Sequence, residues 1–327
     1  MSKFLIFLLI ILIFGGAFIA LNFILPPNIQ LISLINKNES SIVLYFVGDI
    51  MLDRGVEYMV EKEGGGDFRF PFLNMADYLK KADILSGNLE SPISDKGVKV
   101  GSIYSFRAEK EAVEGLKYAG FDILSLANNH MLDYQRAALE DTMEVLQENK
   151  IDYVGAGFNQ AEAFSLKIKE IKNTRIGFLA YTDLGPETWK ATKDNSGMAW
   201  FSENELKDIL KDISSAKEQV DVLAVALHSG EEYQSSPTLS QRTFARLAIE
   251  AGADLVIGHH PHVVQEVEQY MDGWIAYSLG NFVFDQPFSE ETMEGLLLEV
   301  KIEDGEIKEV NQNILKLSDY YQPYLSN

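Results

Sequence analysis

The chain has 327 residues, of which 46% are hydrophobic and 24% charged, and it contains no cysteine. This length is sufficient for a sizeable core, and the lack of cysteine excludes disulfides, cysteine-ligated metal clusters and thiol catalysis. The formal charge of −21 argues against a nucleic-acid-binding protein, because such a protein would carry a basic surface.

The chain begins with an apolar segment, since residues 4–25 carry no charge. A helix of this length rises about 33 Å, which is enough to cross a membrane. The segment is longer than the apolar part of a signal peptide and lacks an Ala-x-Ala site, so it favours an uncleaved transmembrane anchor over residues 1–25. Pro26 and Pro27 end that helix, and residues 26–41 are interpreted as a linker. With Lys3 before the span, we expect a single-pass cell-membrane protein whose soluble domain is extracellular.

After the linker, short apolar runs alternate with amphipathic segments. The predicted strands cover Ile42–Val47, Ala82–Leu85, Phe121–Leu126, Ile151–Val154, Arg175–Tyr181, Asp221–Leu227, Ala253–Ile257 and Trp274–Tyr277. The predicted helices cover Phe72–Lys81, Lys110–Ala119, Gln135–Asn149, Glu203–Lys217 and Leu239–Ala251. The alternation predicts one α/β domain over residues 42–327, with strands buried between helices. Asp304-Gly305 within Gly295–Val310 is a hairpin signal, so part of the sheet is expected to be antiparallel.

Polar residues follow the predicted strands at the points where the strands end. They include all five histidines of the chain and are Asp49, Glu90, His130, His228, His259, His260, His262 and Asn281. One such residue would be ordinary, because Asp and Asn are common turn formers. In open α/β sheets, however, ligands bind outside the carboxyl ends of the strands. The joint pattern therefore predicts a metal site or an acid–base site at one sheet edge.

The residue types in this set favour particular metals. Imidazole and carboxylate donors without cysteine suit Mn, Fe or Zn better than Ca, so we predict one or two divalent ions. A carboxylate bridging two ions about 3.5–4 Å apart would activate a water and stabilise charge on a substrate oxygen. Serine chemistry is less favoured, because the chain has no G-x-S-x-G motif.

Several segments of the chain resemble those of a known family. They are Gly48–Gly55, Asn88–Ser94, Ser105–Tyr134, Tyr153–Gly157, His228–Tyr233, Gly252–Gln265 and Tyr277–Asp285. In order and spacing they resemble the CapA family of poly-γ-glutamate capsule biosynthesis proteins, which is similar to calcineurin-like metallophosphoesterases. The resemblance implies a two-sheet αββα sandwich with mixed sheets, preceded by one N-terminal transmembrane helix.

The resemblance also implies roles for individual residues. The implied metal ligands are Asp49, Glu90, Asn129, His228, His260 and His262, with Glu90 as the bridging carboxylate. His130 matches the catalytic histidine, and Asp133 either orients it or caps the following helix. Met51 stands where the superfamily usually has a histidine, so the first metal site lacks one donor, which Asp53 is a weak candidate to replace.

Other residues near the motifs are expected to support the site. His259, Asn88 and Asn281 are expected to contact the metal ligands without binding metal. Arg54 and Arg107 are candidate substrate-binding residues, because arginine clamps carboxylate or phosphate bidentately. The alternative for both arginines is a surface ion pair.

The resemblance implies a membrane-anchored protein of capsule or poly-γ-glutamate biosynthesis, acting as a metal-dependent hydrolase or transferase on the polymer or its precursor. Two alternatives stay open: a phosphoesterase acting on another cell-envelope substrate, and a non-catalytic scaffold in a polymer synthesis or export complex. The expected partners are poly-γ-glutamate or another anionic polymer, the membrane, and synthase or export subunits. A strongly acidic domain repels a polyanion, so binding has to be local, through metal ions and arginines.

Overall fold

The computed structural model describes residues 41–326. Within that range no helix combines the length and apolar character needed to cross a membrane. The predicted anchor and the predicted linker up to residue 40 lie outside the described residues. The described elements belong to one compact unit that begins at Ile42.

Strands and helices alternate along most of this unit. The strands are β1 (Ile42–Ile50), β2 (Ile84–Leu89), β3 (Ile123–Ser125), β4 (Asp152–Val154), β5 (Ala156–Gly157), β6 (Lys167–Ile171), β7 (Thr174–Thr182), β8 (Gly197–Met198), β9 (Val222–His228), β10 (Leu255–His259), β11 (Val267–Tyr270), β12 (Gly273–Ala276), β13 (Asn281–Val283), β14 (Glu294–Glu303), β15 (Glu306–Leu317) and β16 (Pro323–Leu325). The α-helices are α1 (Arg54–Lys62), α2 (Ala76–Leu79), α3 (Val113–Ala119), α4 (Gln135–Glu148), α5 (Gln160–Ala163), α6 (Leu206–Lys217) and α7 (Leu239–Glu250).

The strands form two mixed sheets and one small pair. The first sheet has the order β16-β15-β14-β1-β2-β3-β4, and β13 also pairs with β1. Strands β1 to β4 and β13 run parallel to one another. Each of β14, β15 and β16 is antiparallel to the strand before it in the order β1-β14-β15-β16. The second sheet has the order β11-β12-β10-β9-β7-β6, with a parallel centre and antiparallel edges. Strands β5 and β8 form the separate pair.

The two sheets pack face to face, and helices cover their outer faces. Strand β1 shows the pattern, because Ile42, Leu44 and Phe46 lie in the core between the sheets while Tyr45 and Val47 face the helices. This is the alternation that a strand buried on both faces requires. Helices α2, α3 and α4 cover the first sheet, and α6 and α7 cover the second. The mixed α/β architecture with mixed sheets is therefore confirmed.

Two local predictions need correction. The helix predicted over Phe72–Lys81 is reduced to α2, because tight turns precede it, with the Met75 amide donating to the Phe72 carbonyl only three residues back. Helix α1 was not predicted, since only Val56 and Val60 of its residues are buried and its apolar stripe is short. The hairpin centred on Asp304-Gly305 is confirmed as β14 and β15.

Candidate metal centre

The carboxyl ends of strands from both sheets meet at one place. Asp49 near the end of β1 lies in register with Asn88 on β2 and with Asn281 on β13. On the second sheet, His259 at the end of β10 pairs with His228 at the end of β9. The polar residues predicted at strand ends therefore converge because both sheets present the same edge.

Five of these side chains form a buried cluster, each at most 6% exposed: Asp49, Glu90, His228, His260 and His262. Two groups within it bring one ligand atom from each member within 4.8 Å of the others. One group is Glu90, His260 and His262, and the other is Asp49, Glu90 and His228. Glu90 belongs to both groups, which is the position expected of a bridging carboxylate.

The two carboxylates lie in opposing electrostatic environments. Burial alone would raise the pKa of Asp49, but hydrogen bonding and charge from His259 and His262 hold that pKa well below its usual value. Burial and the neighbouring charge of Asp49 raise the pKa of Glu90 well above its usual value. Glu90 Oε1 is buried without a hydrogen-bond partner. A buried acid pair with an unpartnered oxygen calls for a nearby cation.

The histidines are held in the state that binds metal. Burial, and then the charge of His260, keeps the pKa of His228 well below its usual value. Burial and the charge of His262 lower the pKa of His260 to about 3. Both imidazoles are therefore neutral near pH 7, with lone pairs available to a metal. His260 Nδ1 is buried and has no hydrogen-bond partner.

The backbone that presents the paired histidines is strained. His260 has a φ of 100° and His262 a φ of 58°, conformations that residues other than glycine rarely adopt. Strain of this kind persists where the surrounding structure holds the residue in place for a function. Together with the unpartnered buried atoms, the donor set fits one or two divalent cations.

Amide side chains hold the ligands in position. Asn88 Nδ2 lies 2.8 Å from Asp49 Oδ1 and 3.3 Å from both Glu90 Oε2 and His228 Nδ1. Asn129 Oδ1 lies 2.7 Å from His228 Nε2, which brings the predicted amide ligand beside the predicted histidine ligand. Asn281 Oδ1 lies 3.0 Å from His262 Nδ1.

Two further buried residues complete this support. His259 Nδ1 lies 3.3 Å from Asp49 Oδ1, at the ligand it was expected to contact. Asn128 was not predicted, yet its Nδ2 donates to Asn88 Oδ1 at 3.0 Å and to the Leu89 carbonyl at 2.8 Å. The doubled asparagine before His130 was the available signal, but it does not say which asparagine faces the cluster.

His130 and Asp133 form a pair at the edge of the cluster. Asp133 Oδ2 lies 2.7 Å from His130 Nδ1 and also accepts the Phe106 amide at 2.8 Å. The other ring nitrogen, Nε2, lies 3.9 Å from Glu90 Oε1, and the Phe106 ring stacks on the imidazole at 4.2 Å. The N-cap residue of α4 is Tyr134, and it makes no side-chain cap. Asp133 therefore contacts the imidazole and does not cap the helix.

Asp53 and Met51 lie beside the cluster in structural roles. The Asp53 carboxylate caps α1 by accepting the Arg54 amide at 2.7 Å, and it also accepts the Arg107 amide at 2.7 Å. Both of its oxygens therefore accept from backbone amides, and Asp53 is in neither of the two ligand groups, so its role as a replacement for the missing histidine stays a weak prediction. Met51 is fully buried, and its sulfur accepts the Asp53 amide.

The two predicted arginines lie in different places. Arg54 pairs with Asp285 and stacks over the Phe106 ring at 4.4 Å, inside the cavity that opens onto His130, His260 and His262. Arg107 lines a separate cleft, where it donates to the Lys96 carbonyl and stacks over Tyr134.

The cavity in front of the cluster has a volume of about 990 Å³. Its walls carry the aromatic side chains of Tyr104, Phe106, Trp189, Tyr233, Phe284 and Phe288. A cavity of this size admits a substrate much larger than a phosphate ion.

Comparison with known sequences identifies the family. Residues 43–286 match the model of a family described as bacterial capsule synthesis protein PGA_cap. The chain belongs to this family. The resemblance of its motifs to CapA proteins is thereby confirmed.

Curated relatives carry matching descriptions. The chain is 36% identical over 278 residues to the capsule biosynthesis protein CapA of Bacillus anthracis, a match that covers 83% of this chain and 66% of that protein. It is 35% identical over 244 residues to the PGA biosynthesis protein CapA of Bacillus subtilis (strain 168), covering 74% of this chain and 63% of that protein. The chain thus spans slightly less than two thirds of the length of these relatives.

Solved structures share the fold at low identity. A hypothetical protein from Thermus thermophilus superposes with a TM-score of 0.53 at 14% identity, covering 84% of this chain and 99% of that one. A novel phosphatase from Mycoplasma pneumoniae superposes with a TM-score of 0.52 at 15% identity, covering 86% and 96%. At such identity the likeness extends to the fold alone.

Proposed function

We propose that this member of the family acts in capsule or poly-γ-glutamate biosynthesis as a metal-dependent hydrolase or transferase on the polymer or its precursor. The descriptions of the relatives support the biological role. The observation that carries the chemistry is the buried Asp49, Glu90, His228, His260 and His262 cluster beside the His130–Asp133 pair.

The metal would be held by the predicted ligands, with Glu90 shared between the two groups and Asn129 beside His228. A bound divalent ion would polarise the scissile group and lower the pKa of a water. The contribution of the chain itself is to keep the imidazoles of His228 and His260 neutral, to bury the acids, and to exclude bulk water from the cluster.

His130 is proposed to supply the proton for the leaving group. With Nδ1 hydrogen-bonded to Asp133, the ring directs Nε2 toward the ligand cluster. In hydrolysis of an amide, water adds to the carbonyl carbon and gives one proton to His130 Nε2, the C–N bond breaks, and the departing nitrogen takes that proton from Nε2. In transfer, an acceptor amine or hydroxyl takes the place of water, and the same proton is moved.

The test uses the full chain loaded with Mn²⁺ or Zn²⁺, with γ-glutamyl oligomers and para-nitrophenyl phosphate esters as substrates. His130→Asn should lower turnover by about 10²–10⁴-fold, the usual contribution of a positioned acid, while metal content and melting temperature stay unchanged. Turnover of the phosphate esters alone would favour a phosphoesterase of another envelope substrate, a second candidate that the same donor set suits. Polymer production that survives His130→Asn in cells would instead favour a scaffold role.

Membrane attachment is proposed on the sequence alone. The uncharged run at residues 4–25 supports a single-pass anchor with the described domain outside the cell. Removal of residues 1–25 should release the protein from the membrane fraction, and protease added to intact protoplasts should digest the domain of the full chain. Protection from that protease would contradict the orientation.

A further inference from the structure

A groove adjoins the cavity in front of the buried ligand cluster (the metal cavity). The groove has a volume of about 330 Å³ and shares two lining residues, Val100 and Trp189, with the cavity. Its other lining residues are Leu132, Gln135, Arg136, Ala137 and Thr188. A molecule that is bound at the ligand cluster and extends past Trp189 would therefore enter this groove.

The cavity itself is poor in available positive charge. Among the described residues that line it, Arg54 is the one lysine or arginine, and its guanidinium is already paired with Asp285. Asp133 and Glu232 line the same cavity. Once one anionic group of a substrate lies at the metal cluster, a second one in the cavity would meet acidic side chains and be repelled.

The groove has the opposite character. No aspartate or glutamate is among its described lining residues, and Arg136 makes no ion pair within residues 41–326. Arg136 Nη2 donates to the Thr188 carbonyl at 2.7 Å, which fixes the guanidinium, and Nη1 is buried without a hydrogen-bond partner. The Arg136 side chain is half-buried and lines the groove, so its unpaired charge and its remaining N–H donors are suited to bind a carboxylate there.

We infer that the groove is a second subsite, which binds a carboxylate of an extended anionic chain at Arg136 while another part of the chain lies at the metal cluster. The substrate class is a linear oligomer with regularly spaced carboxylates, such as γ-linked glutamate. This assignment deepens the proposed function and rests on it for the position of the scissile bond. It also explains how an acidic domain holds a polyanion, because the attraction is confined to one cation outside the acidic cavity.

The subsite makes affinity depend on chain length. We expect a γ-glutamyl dimer to occupy only the metal cavity and a long oligomer to reach Arg136 as well. For the metal-loaded full chain at low salt, Arg136→Ala should weaken binding of the long oligomer about tenfold and leave dimer binding unchanged, as measured by calorimetry. Arg136→Lys should recover part of the loss, because the charge remains without the planar fork. Added salt should reduce the difference between wild type and Arg136→Ala.

Arg175→Ala is the matched control, because that arginine lies outside both the cavity and the groove, near Asp221. Equal effects of Arg136→Ala on both oligomers, no effect on either, or no binding of long oligomers to the wild type would overturn the inference. Length-dependent binding without turnover on any metal would instead refute the proposed function and leave the subsite standing. Turnover that ignores Arg136 at every chain length would refute the subsite alone.

Discussion

Two neighbouring clefts of this protein are rich in acidic residues but differ in what surrounds the acids. The metal cavity backs onto Asp49 and Glu90, which are fully buried among histidines. The second cleft, of about 680 Å³, is lined by Asp53, Glu57, Asp95, Glu109, Glu111, Arg107 and Lys110. Burial among histidines, and not the number of carboxylates, therefore distinguishes the candidate metal site.

Two of the acids of the second cleft, Asp53 and Asp95, already have partners. Asp53 accepts two backbone amides, and Asp95 lies 3.3 Å from Lys110, which also binds Asp141 at 3.0 Å. Glu90 Oε1, in contrast, is buried without a hydrogen-bond partner, with His262 Nε2 at 3.5 Å. The comparison teaches that a buried carboxylate oxygen without a hydrogen-bond partner indicates a cation site. An acid that already has protein partners does not require a cation.

The largest effect is expected from Glu90→Gln, which tests the difference between the two clefts. The change keeps the shape of the side chain and removes the charge shared by both ligand groups, so activity should fall by more than about 100-fold. Without metal, the variant should be more stable than the wild type near pH 7, because burial and the charge of Asp49 raise the pKa of Glu90 and make that acid costly to bury, whereas glutamine has no such cost. Calorimetry with and without Mn²⁺ measures stability and metal binding, since the variant should lose the metal-induced rise in melting temperature. A turnover assay measures the loss of activity.

Glu109→Gln, in the second cleft, is the control and should change neither metal binding nor turnover. A Glu90→Gln protein that binds metal as tightly as the wild type would remove the distinction between the two clefts.

A smaller effect is expected at the edge of the metal cavity, from Asp133→Asn. The amide can still accept from His130 Nδ1 and the Phe106 amide but no longer stabilises a charged ring, so kcat should fall about 10- to 100-fold. Metal content and melting temperature should be unchanged. Asp133→Ala should in addition lower stability by about 1 kcal/mol, because the buried Phe106 amide loses its acceptor. An Asp133→Asn enzyme with full activity would show that this carboxylate serves packing only.

The smallest effect is expected in the second cleft, at Glu57. Burial, together with Asp53 and Glu109, raises the pKa of Glu57 to about 7 from an ordinary 4.5. Because the folded pKa is the higher one, there is no cost below about pH 4.5, stability falls as the pH rises from about 4.5 to about 7, and the full cost remains above that. Glu57→Gln should therefore be more stable than the wild type at pH 8 by about 0.5–1 kcal/mol, a value reduced for solvent screening, and equal to it at pH 4.

Urea unfolding at both pH values measures this difference. Glu148→Gln, an exposed glutamate on α4 outside the cleft, should show no such pH dependence. A pH-independent effect of Glu57→Gln would mean that the second cleft is fully solvated.

Most of the architecture was predictable because it follows from local patterns. Buried strands such as β1 and β9 are continuous apolar runs, and the Asp304-Gly305 turn specifies its own hairpin. Helix α1 and the three-residue strand β13 were missed, because each is stabilised by neighbours that are distant in sequence. Their own residues carry too little periodicity to distinguish them from loops.

The residues of the candidate site likewise include some that the sequence predicts and some that it does not. The residues at strand ends could be predicted, since parallel strands bring their carboxyl ends to one edge. Asn128 and Arg136 could not be predicted as contributors, because their contacts depend on how the turn after β3 and the start of α4 meet Asn88 and Thr188. The contact of Asp53 with the Arg107 amide could not be predicted either, because the two residues are distant in sequence.

The sequence by itself determined the family, the sandwich of strands and helices, and the set of histidines and acids at strand ends, because each is written in local pattern and residue type. Only the tertiary structure decided which acids are buried without a hydrogen-bond partner, which accept backbone amides, and which described arginines have no acidic partner. These properties depend on neighbours that are distant along the chain, and no local pattern encodes the burial and charge that such neighbours create.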